Sequence, residues 1–107
     1  MTKSQEKALK KIRKLVEKEF YSDRCEIKEW TVKENEYFVS LVVEYGLKGD
    51  EGTMAEVYAR DRAHLFIGKR GGITYPVNKK NGDMVCRRFK GYSILQAVCD
   101  QRHIQKY

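Results

Sequence analysis

The residues most able to do chemistry in this sequence are cations that recur at helical spacing near its N-terminus. If residues 3–20 form a helix with a period of about 3.6 residues, six lysines fall within an arc of about 100°. They are Lys3, Lys7, Lys10, Lys11, Lys14 and Lys18. Ammonium groups on one helix face neutralise phosphates and release condensed counterions, so this face predicts binding to a polyanion. A solvated, lysine-rich outer face is the alternative interpretation.

A second group of cations, interleaved with aromatic residues, lies between residues 69 and 92. Its members are Lys69, Arg70, Lys79, Lys80, Arg87, Arg88, Phe89, Lys90 and Tyr92. An antiparallel ribbon would bring several of these side chains together, with an aromatic ring stacked on a base while the cations track the phosphates. The alternative is that Phe89 is a core residue and that the cations only make the ribbon more soluble.

The turn that holds Lys69 and Arg70 is rich in glycine. The run Gly68-Lys69-Arg70-Gly71 resembles the G-x-x-G loop of KH domains, which clamps a nucleic-acid backbone. In that family a helix follows the loop, whereas residues 72–76 contain Pro76 and β-forming residues and predict an extended chain. Backbone N–H groups in a glycine-rich turn can bind an anion on any scaffold, and an ordinary tight turn is the alternative.

The other chemistry-bearing residues do not form complete sites. Glu26 and Lys28 have the spacing of one half of a metal-dependent nuclease site, but no second half is identifiable. The three cysteines contain no C-x-x-C pair, so the sequence predicts neither a zinc site nor a disulfide framework. Phosphate-binding loops, dinucleotide fingerprints and nucleophile elbows are also missing. We therefore expect no enzymatic activity, no cofactor and no metal.

Length and composition place these cations on one small domain. The 107 residues have room for a single core of two packed layers, so residues 1–107 are predicted to form one domain. The net charge is +7, and it divides into +4 over residues 1–20, −5 over residues 21–58 and +8 over residues 59–107. Such a balance favours DNA, RNA or an acidic protein surface as the partner. A homo-oligomer that joins the acidic segment 23–56 to the basic segment 59–107 is a further alternative.

Nothing in the sequence predicts contact with a membrane. No apolar run approaches the roughly 18 to 20 residues that a membrane-spanning helix needs. The N-terminal stretch is rich in lysine and has no signal-peptide core, so we expect a cytoplasmic protein.

Periodicity predicts the elements that must position these residues. Apolar residues at three- and four-residue intervals indicate an amphipathic helix over residues 3–20. Thr2 and Gln5 have the spacing of a capping box, and Ser4 is an equally good cap. Alternation predicts strands over residues 25–32 and 37–45, and it favours a strand over a helix for residues 53–67. Shorter strands are predicted over residues 73–77 and 84–89, and Ser93 with Gln96 marks the start of a C-terminal helix.

The predicted fold class is therefore α+β. It has an N-terminal amphipathic helix, a four- to five-stranded, mostly antiparallel sheet and a C-terminal helix packed on one sheet face. This order resembles double-stranded-RNA-binding domains in topology, although residues 93–97 are neutral where those domains usually carry a lysine run.

Two function hypotheses follow from the charge. The first is a non-enzymatic nucleic-acid-binding module that engages the phosphate backbone through the lysine-rich helix face and the basic hairpin. The second is a small regulator or inhibitor, of the kind that phages and mobile elements encode, which occupies an acidic or nucleic-acid-binding surface of a larger protein. Both need clustered cations, so composition does not separate them.

Overall fold

Three helices and five strands make up the part of the chain that the computed structural model describes, which is residues 1–20, 24–91 and 94–102. The helices are α1 (Lys3–Phe20), α2 (Met54–Tyr58) and α3 (Ile94–Arg102). The strands are β1 (Cys25–Glu34), β2 (Phe38–Leu47), β3 (Asp61–Gly68), β4 (Ile73–Asn78) and β5 (Met84–Arg88). The predicted α+β class is confirmed.

The five strands form one antiparallel sheet in sequence order, and helices α1 and α3 pack on the same face of it. Alternate residues of β2, β3 and β4 are buried against the helices, as a half-covered antiparallel sheet requires. The buried strand residues are Val39, Leu41, Val43, Ala63, Leu65, Ile67, Ile73, Tyr75 and Val77. Helix α1 adds Ala8, Ile12 and Val16 to this core, and α3 adds Ile94, Ala97 and Val98.

The prediction of a strand over residues 53–67 is wrong in its first half. Residues Met54–Tyr58 form α2, and the strand begins only at Asp61. Local hydrogen bonds favour the helix, because the Thr53 hydroxyl donates to the Asp50 carbonyl at 2.6 Å and the Gly52 N–H donates to the Glu56 carboxylate at 2.6 Å. Side-chain bonds of this kind hold the chain in a turn and compete with strand pairing.

Helix α3 is joined to the sheet and to α1 by polar side chains. The Gln101 amide accepts from the His64 N–H at 2.7 Å and donates to the His64 carbonyl at 3.0 Å. The Gln101 side chain thus satisfies the backbone N–H and C=O groups of His64, a β3 residue that does not pair with β4. The Ile94 N–H donates to the Glu19 carboxylate at 2.8 Å, so α1 caps the start of α3. The predicted cap, Ser93, lies outside the described residues.

A buried ion cluster closes the end of the sheet that carries α2. Asp50 is fully buried and accepts two hydrogen bonds from Arg60, at 2.8 and 2.9 Å, while Lys28 Nζ lies 3.1 Å from its carboxylate. The Arg60 guanidinium, together with Lys28, outweighs burial and holds the pKa of Asp50 at about 2. Lys28 also contacts Glu26 at 2.8 Å, so both residues belong to this cluster.

Removing the charge of Asp50 is expected to change the acid stability of the protein. The pKa of Asp50 lies below its ordinary value of 3.8, so its stabilising contribution is complete above about pH 4 and is lost as the pH falls through about 2. Asp50→Asn should be less stable than the wild type at pH 7, with a shallower loss of stability between pH 4 and 2. Urea denaturation at several pH values measures both effects. An equal loss of unfolding free energy between pH 4 and 2 in Asp50→Asn and the wild type would contradict this account.

Candidate polyanion-binding surface

The N-terminus of α1 is fixed on the turn between β3 and β4. The predicted capping box is present, since the Gln5 N–H donates to the Thr2 hydroxyl at 3.1 Å and the Thr2 N–H donates to the Gln5 side chain at 2.9 Å. The Thr2 hydroxyl donates in turn to the Lys69 carbonyl at 2.8 Å. These bonds place the basic turn directly beside the first turn of the lysine-rich helix.

The six lysines of α1 are all exposed on the side of the helix that faces away from the core. Within the described residues, none of them has a carboxylate within 4.0 Å. Arg13 lies on another side of the helix, where it stacks over Trp30 at 4.9 Å and pairs with Glu17 at 3.0 Å. The charge of Arg13 is therefore compensated, whereas the six lysines have no ion-pair partner in the part of the chain that the structure describes.

The glycine-rich turn uses two of its backbone N–H groups in hydrogen bonds of its own. The Gly68 N–H donates to the Gly72 carbonyl and the Gly71 N–H to the Gly68 carbonyl, both at 2.8 Å. Gly71 has a φ of +91°, and a methyl group on it would lie 3.1 Å from the Ser4 carbonyl oxygen, so this position requires glycine. These two N–H groups are used inside the turn, and the exposed side chains of Lys69 and Arg70 add two cations that can contact an anion. Strand β4 follows, as predicted, in place of the helix of a KH domain.

The segment after β5 also reaches α1. Lys90 is exposed, and a methyl group placed on Gly91 would lie 2.6 Å from Lys11 Nζ, which shows how closely this segment approaches the lysine-rich helix. Because Lys90 directly precedes Gly91, we group it with the surface formed by α1 and the β3–β4 turn. We call the combined surface the cationic face, and it consists of Lys3, Lys7, Lys10, Lys11, Lys14, Lys18, Lys69, Arg70 and Lys90.

Two residues of the predicted ribbon do not fit the role given to them. Phe89 is a core residue with 8% of its surface exposed, so it offers no free ring face on which a base could stack. Arg87 pairs with Asp100 at 3.2 Å, and the Tyr75 hydroxyl donates to the same carboxylate at 2.6 Å. Burial and this bond raise the pKa of Tyr75 to about 12. Tyr92 lies outside the described residues.

Three other cations of the predicted ribbon lie away from the cationic face. Lys79 and Lys80 are in the turn between β4 and β5, at the far end of β4 from the β3–β4 turn. At about 3.3 Å per residue, the five steps along β4 separate the two ends by about 17 Å. Arg88 is opposite Thr74 in the register, on the sheet face that α1 and α3 do not cover.

Two surface features were missed in the sequence. One is α2, whose large apolar side chains are exposed; its signal in the sequence is a helix-compatible spacing that is weaker than the alternation over residues 53–67. The other is the uncovered face of the sheet, where Ser40, His64 and Phe66 alternate with the buried residues of β2 and β3. Alternation along each strand indicates which residues share a sheet face, but it does not show which residues of neighbouring strands lie side by side.

The described part of the chain contains no group of three or more His, Cys, Asp or Glu residues arranged to hold a metal ion. Among the helices of the described ranges, none is long and apolar enough to cross a membrane. No family model, curated protein or solved structure matches this chain.

Proposed function

We propose that this protein is a non-enzymatic module that binds nucleic acids through the phosphate backbone, with the cationic face as its contact surface. One observation carries the proposal: the cations of this face are exposed, adjacent and without a described carboxylate partner. Lys28 and Arg60, in contrast, are neutralised by the ion cluster. Neighbouring unpaired cations repel one another, and a polyanion relieves this repulsion by supplying the opposite charge.

The dimensions of the cationic face suit a phosphate backbone. Lys3 and Lys18 are fifteen residues apart on one helix, which corresponds to about 22 Å at 1.5 Å per residue. Duplex DNA carries about one charge per 1.7 Å of its axis, so a face of this length lies opposite several phosphates. Lysine is a flexible point charge without the fixed fork of arginine, which favours backbone contacts without base readout. A cytoplasmic location belongs to the same proposal.

A neutral substitution on the cationic face tests this function. We expect Lys7→Gln to reduce the slope of log affinity against log salt concentration by about one, because one phosphate contact is lost. Lys48→Gln is the matched control, since Lys48 is exposed, has no described ion pair and lies outside the cationic face. Fluorescence anisotropy with a labelled duplex of random sequence measures both slopes. Equal slopes for Lys7→Gln and the wild type would exclude Lys7 from the contact surface.

Helix α2 favours a second function, that of a small regulator or inhibitor of a larger protein. Met54, Val57 and Tyr58 are 73%, 73% and 74% exposed, although they are large and apolar. The Arg60–Asp50 bonds and the Thr53 hydrogen bond fix the ends of this helix, so the three side chains are presented on a rigid support. Exposed apolar clusters that include tyrosine are typical of protein contacts. A second copy of the chain is one such partner, because the surroundings of α2 are acidic and the cationic face is basic.

Affinity capture from a native extract, with and without nuclease, separates the two functions. The regulator hypothesis expects recovery of one protein after nuclease treatment and its loss with Tyr58→Ser. The nucleic-acid hypothesis expects recovery to depend on intact nucleic acid and to be the same for wild type and Tyr58→Ser.

A further inference from the structure

The sheet has one face that α1 and α3 do not cover, and we call it the open face. Every second residue of the central strands lies on it, including Phe38, Ser40, His64 and Phe66. These side chains are only half-buried, whereas their neighbours along the strands are fully buried in the core. The open face is on the opposite side of the sheet from the cationic face of α1.

The strand register aligns one residue from each of the five strands across the open face. Lys33 lies opposite Ser40, Ser40 opposite Phe66, Phe66 opposite Thr74 and Thr74 opposite Arg88. We call this set the transverse row. It has a cation at each end, an aromatic ring in the centre and a hydroxyl group between the ring and each cation. With neighbouring strands about 4.8 Å apart, the row is about 19 Å long.

The central ring of the transverse row is held in place by its neighbours. The Phe38 ring meets the Phe66 ring edge to face, with the ring centroids 5.2 Å apart. The His64 ring, two residues before Phe66 on β3, has its centroid 4.5 Å from that of Phe66. His64 is itself fixed by a 2.7 Å hydrogen bond to the Ser40 hydroxyl. Phe66 therefore keeps part of its ring accessible without the freedom of an isolated surface side chain, which lowers the entropic cost of stacking a ligand on it.

The charge on the open face is divided between its two ends. Arg62 and Glu29 pair at 3.7 Å, and Arg60 and Glu44 at 3.2 Å, at the end towards α2. At the other end Lys33 and Arg88 are exposed, and neither has a carboxylate within 4.0 Å among the residues described. A ligand of the transverse row thus has to combine negative charge with a flat, apolar surface.

We propose that the open face binds single-stranded DNA or RNA along the transverse row, with a base stacked on Phe66 and phosphates at Lys33 and Arg88. A single strand exposes both groups at once, whereas the bases of a duplex are stacked on each other and cannot cover a protein ring. The Ser40 and Thr74 hydroxyl groups lie where they can bond to sugar or base edges. This inference shares only the class of ligand with the proposed function, because it uses a different face of the molecule.

Substitution of the central ring tests the stacking step. Phe66→Leu keeps an apolar side chain of similar size, and we expect it to weaken binding of a labelled dT 12-mer by about tenfold, the loss of about 1.4 kcal/mol of stacking. Phe66→Tyr retains an aromatic ring and should bind like the wild type. Tyr58→Leu is the matched control, because Tyr58 is an exposed aromatic residue on α2, at the end of the sheet opposite the transverse row, and it should not change the affinity. Anisotropy at 50 mM salt, with a 12-base-pair duplex as the second probe, measures these effects.

The ends of the transverse row provide a second variant that leaves the core untouched. Lys33→Ser combined with Arg88→Ser should weaken binding of the 12-mer about as strongly as Phe66→Leu does and leave duplex affinity unchanged. Lys48→Ser should change neither affinity. Unchanged 12-mer affinity in both open-face variants, with duplex binding intact, would overturn this inference and leave the proposed function standing. Loss of duplex binding by a cationic-face variant that still binds the 12-mer would support two separate surfaces. If the wild type binds neither probe, both proposals fall.

Discussion

Replacement of Lys7, Lys11 and Lys14 by glutamate is expected to weaken duplex binding by at least about 100-fold at 50 mM salt. The three residues lie on the outer side of α1, are exposed and have no described ion pair. Each phosphate contact contributes about 0.9 to the salt slope, which makes one lost contact worth roughly tenfold at this salt concentration. Charge reversal adds repulsion from the phosphates to the loss of three contacts. Anisotropy with a labelled duplex measures the change.

A charge-matched control separates a defined surface from the effect of net charge. Lys48, Lys79 and Lys80 are exposed or half-buried turn residues away from the cationic face, and their replacement by glutamate changes the net charge by the same amount. We expect this control to weaken binding much less than the α1 variant. Equal losses would show that long-range attraction, and not the cationic face, drives binding. Both variants should keep the thermal stability of the wild type, because exposed substitutions usually change it by only about 0.5 kcal/mol.

Ile12→Ala is expected to lower the free energy of unfolding by about 2–5 kcal/mol. Ile12 is fully buried in the core on the side of α1 opposite the lysines, so truncation leaves a cavity between the helix and the sheet. A loss of this size is a large part of the roughly 5–15 kcal/mol that stabilises a typical domain. Because α1 carries most of the cationic face, heating that unfolds this variant should also abolish duplex binding.

Urea denaturation measures the effect, and Lys14→Ala is the control on the same helix. Lys14 is exposed, and alanine is a strong helix former, so this variant should match the wild type within about 0.5 kcal/mol. A loss below about 1 kcal/mol for Ile12→Ala would show that α1 does not pack on the sheet as described.

Long periodic elements could be predicted from the sequence because many residues report on the same face. Helix α1 was predicted over residues 3–20 and has these bounds, since eighteen residues make five turns with one apolar side. Helix α2 has only five residues, a little more than one turn, so its periodicity is weak. The Arg60–Asp50 bonds hold together the segments on either side of α2, and they join residues ten apart that have no sequence pattern of their own.

The candidate site, like the fold, could be predicted where it lies on a long periodic element and not where it depends on contacts between distant residues. The helical wheel placed the six lysines on one face, and they are exposed there. The prediction that several ribbon side chains lie together did not say which ones, because it did not include the direction of alternate side chains or the length of β4. The transverse row was beyond sequence reasoning, since it depends on the register of four strand pairs, and three of its members are 26 or more residues away from both Lys33 and Ser40.

The salt dependence of duplex binding by the wild type tests the central claim most directly. The cationic face has nine cations, and contact by five to eight of them predicts a straight line of log affinity against log salt with a slope of about −4.5 to −7 between 50 and 200 mM. Duplexes of different sequence should give the same line, because lysine contacts to phosphates do not read bases. The absence of any binding at 50 mM salt, or an affinity that does not change with salt, would contradict the assignment of the cationic face to nucleic-acid phosphates.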